Sequence, residues 1–207
     1  MKCKLEVVSG FLGSGKTSFI SSYLTTDICK DENILVILLE KGSKDVIRSL
    51  DCVHIVYLRN SKYLKETILD KVKENNYTKL IIEFNGTYDL NIISTLINDR
   101  EVSKVVKFYG NYYIGDASTL EIYLKNMGEI LVPFIQSSKL IVLNNLNLVD
   151  KSKKSTLIKI IENINFTAPI IYSESIDVLD SDLKSSSYFK KGLLYRKLST
   201  LFKKGEK

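Results

Sequence analysis

The 207 residues are enough to bury a sizeable core in one domain. The formal net charge of +6 belongs to the end of the chain, where Lys190, Lys191, Arg196, Lys197, Lys203, Lys204 and Lys207 face only Glu206, so residues 1–187 are neutral and a basic nucleic-acid surface is not expected. No apolar run approaches the roughly 20 residues of a membrane span, MKCKLEVV has neither an h-region nor a cleavage site, and three scattered cysteines (Cys3, Cys29, Cys52) fit a reducing cytoplasm rather than a disulfide framework.

Short Val/Ile/Leu runs predict strands at 5–8, 34–39, 53–58, 80–83, 112–115, 140–143 and 169–172. Helical spacing lies between them: Phe19, Ile20 and Leu24; Leu64, Ile68 and Val72; Leu90, Ile93 and Leu96; Leu120, Leu124, Met127 and Leu131; Leu157, Ile160 and Ile164. STLE at 118–121 reads as a capping box in which Ser118 opens the fourth helix. Nearly continuous apolar strands alternating with helices imply a doubly wound, mostly parallel α/β sheet covered on both faces. The expected organisation is a domain over 1–187 and a tail over 188–207.

Gly10-x-x-x-x-Gly15-Lys16-Thr17 follows the first strand and opens the first helix, the context a phosphate-binding P-loop requires. Gly10, Gly13 and Gly15 let successive amides turn inward on phosphate oxygens. Ser14 and the first helical residues, Lys16, Thr17 and Ser18, complete the cradle, and the helix N-terminus adds partial positive charge. Lys16 is expected to bridge the terminal phosphates and the Thr17 hydroxyl to complete a Mg²⁺ shell. Glu83 ends a buried strand that points at the loop mouth, where a carboxylate can orient a Mg²⁺-bound water, and the Gly86 amide can approach a γ-phosphate. A surface glutamate followed by a turn glycine is the simpler alternative.

GFLGSGKT resembles the P-loop of the CobW/HypB/UreG GTPases, which assist metal- or cobalamin-dependent enzymes. The likeness continues in order: LIIEFNG (80–86) resembles their E-x-x-G segment, YGNYYIGDAS (109–118) their G-V-V-x-V-V-D-A strand, and KLIVLNNLNLVD (139–150) their N-K-x-D region. PIIYSES (169–175) falls where their base-contacting loop lies, and Glu40 and Gly42 in LLEKG resemble their N-E-F-G. The resemblance implies a P-loop GTPase fold, Mg²⁺ and GTP or another nucleoside triphosphate, and a protein partner that is a metalloenzyme or corrinoid protein.

Two departures bear on specificity. N-K-x-D reads Asn144-Asn145-Leu146-Asn147 here. Asn144 can tie the base loop to the P-loop, but Asn147 replaces the aspartate that accepts two guanine donors. One unpaired buried donor costs about 1–3 kcal/mol, so XTP and ATP stand beside GTP as ligands. The resemblance also implies a C-x-C-C metal motif before the fourth strand, where this chain has DCVHIVYL. Cys52 and His54 alternate on a strand and share a face, which makes them, with Glu40, candidate transition-metal ligands. The same spacing fits a half-buried strand with a small apolar cysteine.

These readings converge on a slow NTP hydrolase, because no arginine finger or glutamine is evident in cis and a partner or second copy of the chain is expected to supply one. A non-hydrolysing nucleotide-gated scaffold is the alternative. A small-molecule kinase is disfavoured because the body has only Arg48, Arg59 and Arg100 for a phosphate lid. The tail spaces Leu194, Leu198 and Leu201 against its basic residues, suiting either an acidic partner or anionic surface, or a last helix with a solubilising end.

Overall fold

The computed structural model describes residues 2–39, 51–86 and 88–189. Seven strands form one parallel sheet: β1 (Cys3–Gly10), β2 (Ile34–Leu38), β3 (Val53–Tyr57), β4 (Lys79–Asn85), β5 (Val106–Asp116), β6 (Ser138–Asn144) and β7 (Ile170–Tyr172). Their spatial order is β3-β2-β4-β1-β5-β6-β7. Strands 2–4 lie on one side of β1 and strands 5–7 on the other, so the direction of winding reverses at β1. The loop that leaves β1 is therefore at the topological switch point, where open α/β sheets bind ligands.

Side-chain alternation builds two layers. Cys3, Leu5 and Val7 of β1 face α2 (Leu64–Glu74), α3 (Asn91–Asn98), α5 (Leu120–Gln136) and α6 (Lys151–Ile164), forming a core with Leu64, Ile68, Ile93, Phe134, Leu157 and Ile161. A four-residue helix, α4 (Val102–Val105), leads into β5. Val8 of β1 faces the opposite way, onto α1 (Lys16–Leu24) and α7 (Leu179–Ser185), with Phe19, Ile20, Tyr23, Leu179 and Leu183. Phe189 closes this second layer at 3% exposure, its ring 5.8 Å from that of Tyr23. Beyond Tyr188 and Phe189 the predicted tail lies outside the described residues, as do Glu40 and Gly42.

All seven predicted strands are present, although β5 runs 11 residues and extends well before the apolar run that announced it. The capping box is not formed. The N-cap of α5 is Thr119, one residue later than the box requires, and it makes no side-chain cap bond; Ser118 lies in the preceding turn, where its amide and hydroxyl both donate to Asp116 Oδ1 at 2.8 and 2.6 Å.

Candidate nucleotide site

The P-loop is shaped by three glycines with positive φ: Gly10 (151°), Gly13 (77°) and Gly15 (96°). At Gly10 the need is also steric, since a Cβ there would lie 2.2 Å from the Ile114 carbonyl oxygen. Phe11 closes the loop by accepting from the Ser14 amide at 3.2 Å and from Lys16 Nζ at 2.9 Å. Lys16 is only 3% exposed, so its ammonium is held inside the loop. The first helical bond of α1 is Phe19 N–H to the Gly15 carbonyl, which leaves the amides of Lys16, Thr17 and Ser18 ahead of the helix ladder.

A test of fit to an anion comes from Ser14. Its hydroxyl is buried and without a hydrogen-bond partner in a loop otherwise folded on itself. Buried hydroxyls are normally paired, and a phosphate oxygen cradled by the loop is the acceptor this one lacks.

At the loop mouth the Thr17 hydroxyl donates to Glu83 Oε1 at 2.8 Å. Glu83 is 2% exposed, brought there because β4 pairs with β1 in a register that places Glu83 beside Val8 and Asn85 beside Gly10. The Gly86 amide donates to the Gly10 carbonyl at 3.0 Å, and a Cβ on Gly86 would lie 2.6 Å from that oxygen. The hydroxyl–carboxylate pair suits a hard divalent cation that takes its remaining ligands from phosphate and water, as Mg²⁺ does.

The base side is assembled from two loops. Asn144 is fully buried, and its Nδ2 reaches the Ser14 carbonyl at 3.5 Å. Asn145 adopts a left-handed conformation (φ 58°) and turns its amide onto Asp116 Oδ2 at 2.8 Å. Leu146 N–H and Asn147 N–H bond the carbonyls of Ser173 and Glu174, at 3.1 and 3.2 Å, and this fixes the two loops side by side. Asn147 itself is exposed, and Ile176 of the second loop approaches Gly15. Asp116 was not singled out from sequence. At the end of β5 it ties the Ser118 turn to the Asn145 loop.

The transition-metal candidates are not brought into a closed site. Cys52 lies in the turn before β3 and His54 on that edge strand, so the two do not share a strand face; both are exposed, the expectation of a half-buried cysteine fails, and the His54 ring packs edge-on against Tyr77 at 5.4 Å. Among the described residues no three His, Cys, Asp or Glu side chains converge on one point, whereas a structural zinc usually takes four ligands. Among those residues, too, no helix is long and apolar enough to cross a membrane.

A parallel sheet wound about a phosphate-cradling loop, with a carboxylate at the neighbouring strand end, defines a P-loop NTPase domain. The model of the CobW/HypB/UreG nucleotide-binding domain matches residues 4–172, and the chain belongs to that family of P-loop GTPases. Similar solved structures include Zn(II)-bound YjiA GTPase from E. coli (TM-score 0.63, 19% identity), where the match covers 82% of this chain and 57% of that one. Hydrogenase maturation factor HypB from Archaeoglobus fulgidus (0.57, 18%) is matched over 95% and 89%. HypB from Helicobacter pylori in complex with nickel (0.54, 14%) is matched over 96% and 88%. The chain thus spans little more than half of the YjiA structure. A search of curated proteins finds no match.

Proposed function

We propose that the chain is a GTPase-type nucleotide switch of the cytoplasm that serves as a metallochaperone or accessory protein for a metalloenzyme or corrinoid protein, with slow NTP hydrolysis. The observation that carries this is the Thr17–Glu83 contact at the mouth of the P-loop. It joins a nucleotide-loop hydroxyl to the one carboxylate buried at the adjacent strand end, which is what a phosphate-sensing metal site needs. The Zn(II) of YjiA and the nickel of the Helicobacter HypB support a metal-handling role.

In this reading the loop amides, Lys16 and the Ser14 hydroxyl hold the phosphates. Thr17 and Glu83 hold Mg²⁺, which when bound neutralises developing phosphate charge. Glu83 orients the attacking water. Gly86 exchanges its bond to Gly10 for one to the terminal phosphate, so that the segment after β4 reports nucleotide state to a partner. Arg59 and Arg100, the arginines among the described residues, are exposed. In this reading a partner or a second copy supplies a further cation, and hydrolysis by the isolated chain is slow.

The base preference follows Asn147. Its amide offers one acceptor and one donor, complementary to the N1–H and C2 carbonyl of xanthine and mismatched to the two donors of guanine. The diversion of Asn145 to Asp116 also favours a second reading, a nucleotide-gated scaffold that binds without turning over. Titration of GTP, GDP, XTP and ATP with Mg²⁺, against wild type and Lys16→Ala, tests the switch. Micromolar binding abolished by the substitution supports it, and absence of binding by all four sinks it. Phosphate release then separates hydrolase from scaffold.

A further inference from the structure

At the opposite end of the sheet from the P-loop, two strands break register at neighbouring residues. β1 pairs Leu5 with Phe108 and Glu6 with Gly110, so Tyr109 is left over in β5. β5 in turn pairs Asn111 with Ser138 and Tyr112 with Leu140, so Lys139 is left over in β6. Bulges are rare in parallel pairs, and they re-aim side chains next to functional sites. Here the two extra residues meet: Lys139 Nζ lies 3.7 Å from the centroid of the Tyr109 ring. Gly110 provides the lane for the lysine stem, since a Cβ there would lie 2.9 Å from Lys139 Cδ.

The pair forms part of the rim of a cleft of about 420 Å³, within the range of roughly 300–1,000 Å³ typical of small-molecule sites. Its floor is built and electrically balanced. Glu6 and Lys79 are 1% and 2% exposed and 3.5 Å apart. Lys79 Nζ donates to the Tyr23 hydroxyl at 2.7 Å, and the Tyr23 and Tyr112 hydroxyls donate to Glu6 at 2.9 and 3.2 Å. At the rim Lys4 is paired with Glu32 at 3.3 Å. Lys139 is the lining cation left without a carboxylate among the described residues. The remaining walls are Ile28 and the rings of Tyr109, Tyr112 and Tyr188.

We propose that this cleft is a second ligand site, distinct from the nucleotide site, which takes a small planar organic monoanion such as an aryl carboxylate. The carboxylate pairs with Lys139, the ring lies against the tyrosines, and a polar tip reaches the phenols of the floor. One unpaired ammonium selects a single negative charge, the rings select a flat body, and the Glu6–Lys79 pair leaves no net charge at the floor to attract a second ion. None of these residues belongs to the P-loop or the base loops, so the site stands or falls independently of the proposed switch.

Calorimetry and saturation-transfer NMR on the full chain test this with 4-hydroxybenzoate, indole-3-carboxylate and nicotinate, using 4-hydroxybenzamide and tyramine as neutral and cationic controls. At least one carboxylate is expected to bind, with affinity falling about tenfold in Lys139→Gln and in Tyr109→Ala. Lys139→Arg should keep most of it and Lys16→Ala all of it. Both rim side chains are exposed, and circular dichroism checks that the variants fold. Equal binding of 4-hydroxybenzamide, indifference to Lys139→Gln, loss in Lys16→Ala, or no binding by any of the three carboxylates overturns the proposal.

Discussion

The Thr17 hydroxyl and the Glu83 carboxylate, 66 residues apart in sequence, meet at 2.8 Å. Sixty-six residues of chain are folded so that a loop after β1 and the end of β4 share one hydrogen bond, and the β1–β4 register holds both ends in place. Glu83→Gln keeps the size of the side chain and removes its charge. It is expected to leave Mg²⁺-free nucleotide affinity within about threefold while lowering phosphate release by about a hundredfold, the usual scale for losing a proton-handling or water-orienting carboxylate. Thr17→Val should instead weaken only the Mg²⁺-dependent part of binding. A Glu83→Gln variant that hydrolyses at the wild-type rate would reduce Glu83 to a structural acceptor for Thr17.

Asn147→Asp restores an acceptor pair for the guanine edge. GTP affinity relative to XTP is expected to rise by about 5- to 150-fold, the equivalent of one buried donor regaining its partner at about 1–3 kcal/mol. Competition of GTP and XTP for a fluorescent nucleotide reads the ratio directly. An unchanged ratio would mean that Asn147, exposed as it is, does not touch the base.

Two glycines should respond in opposite directions. Gly10→Ala drives a methyl into the Ile114 carbonyl oxygen, at 2.2 Å, in backbone with φ of 151°. It should cost at least about 2 kcal/mol, since a backbone atom cannot step aside as a side chain can. Gly128, in α5 beside a kink at Met127, has no atom within 4 Å of its would-be Cβ and no positive φ. Gly128→Ala should stabilise by about 0.4–1 kcal/mol through the unfolded chain's lost freedom. Urea unfolding of both variants decides. A stabilised Gly10→Ala would contradict the close approach of the P-loop to β5.

The layout of the sheet was legible because fully buried parallel strands have no polar face to confuse the pattern: Ile34–Leu38 and the apolar stretch of Ser138–Asn144 read as plain apolar runs. The P-loop was legible because its chemistry is local in sequence. What stayed hidden depends on long-range pairing. Glu6 sits inside an apolar strand with nothing nearby in sequence to announce Lys79 or Tyr112 as its partners. Tyr109 and Lys139 are ordinary residues until two register shifts aim them at each other. Ser118 matched a capping box in sequence, but the turn that leaves β5 holds it on Asp116 and α5 starts one residue later, at Thr119. Asn145 announced only a missing lysine stem, whereas its left-handed backbone turns it onto Asp116.

Stability should fall steeply at alkaline pH, and the cysteines give the reason. Burial pushes the Cys3 thiol from 9.0 to about 12, helped by the nearby Glu32 and Glu6 carboxylates. Burial likewise pushes Cys29 to about 11, against the opposing pull of the Lys79 ammonium. A thiol harder to ionise in the folded state keeps its proton while the unfolded chain releases its own. The unfolded state then binds fewer protons, and stability declines with rising pH from about the unfolded thiol value upward. At pH 10 each thiol has lost about 1.4 kcal/mol, so the two together cost roughly 3 kcal/mol relative to pH 8. The phenols of Tyr23 and Tyr112, raised chiefly by burial and then by Glu6, act in the same direction at higher pH. Urea midpoints at pH 8 and pH 10 measure the drop, and Cys29→Ala should make it shallower by about 1.4 kcal/mol. In parallel, a thiol reagent at pH 8 should label Cys52, the exposed cysteine, quickly and the other two only after unfolding. A stability that stays level between pH 8 and pH 10 would mean that Cys3 and Cys29 ionise as readily folded as unfolded, and that the lower half of the sheet admits water the packing there excludes.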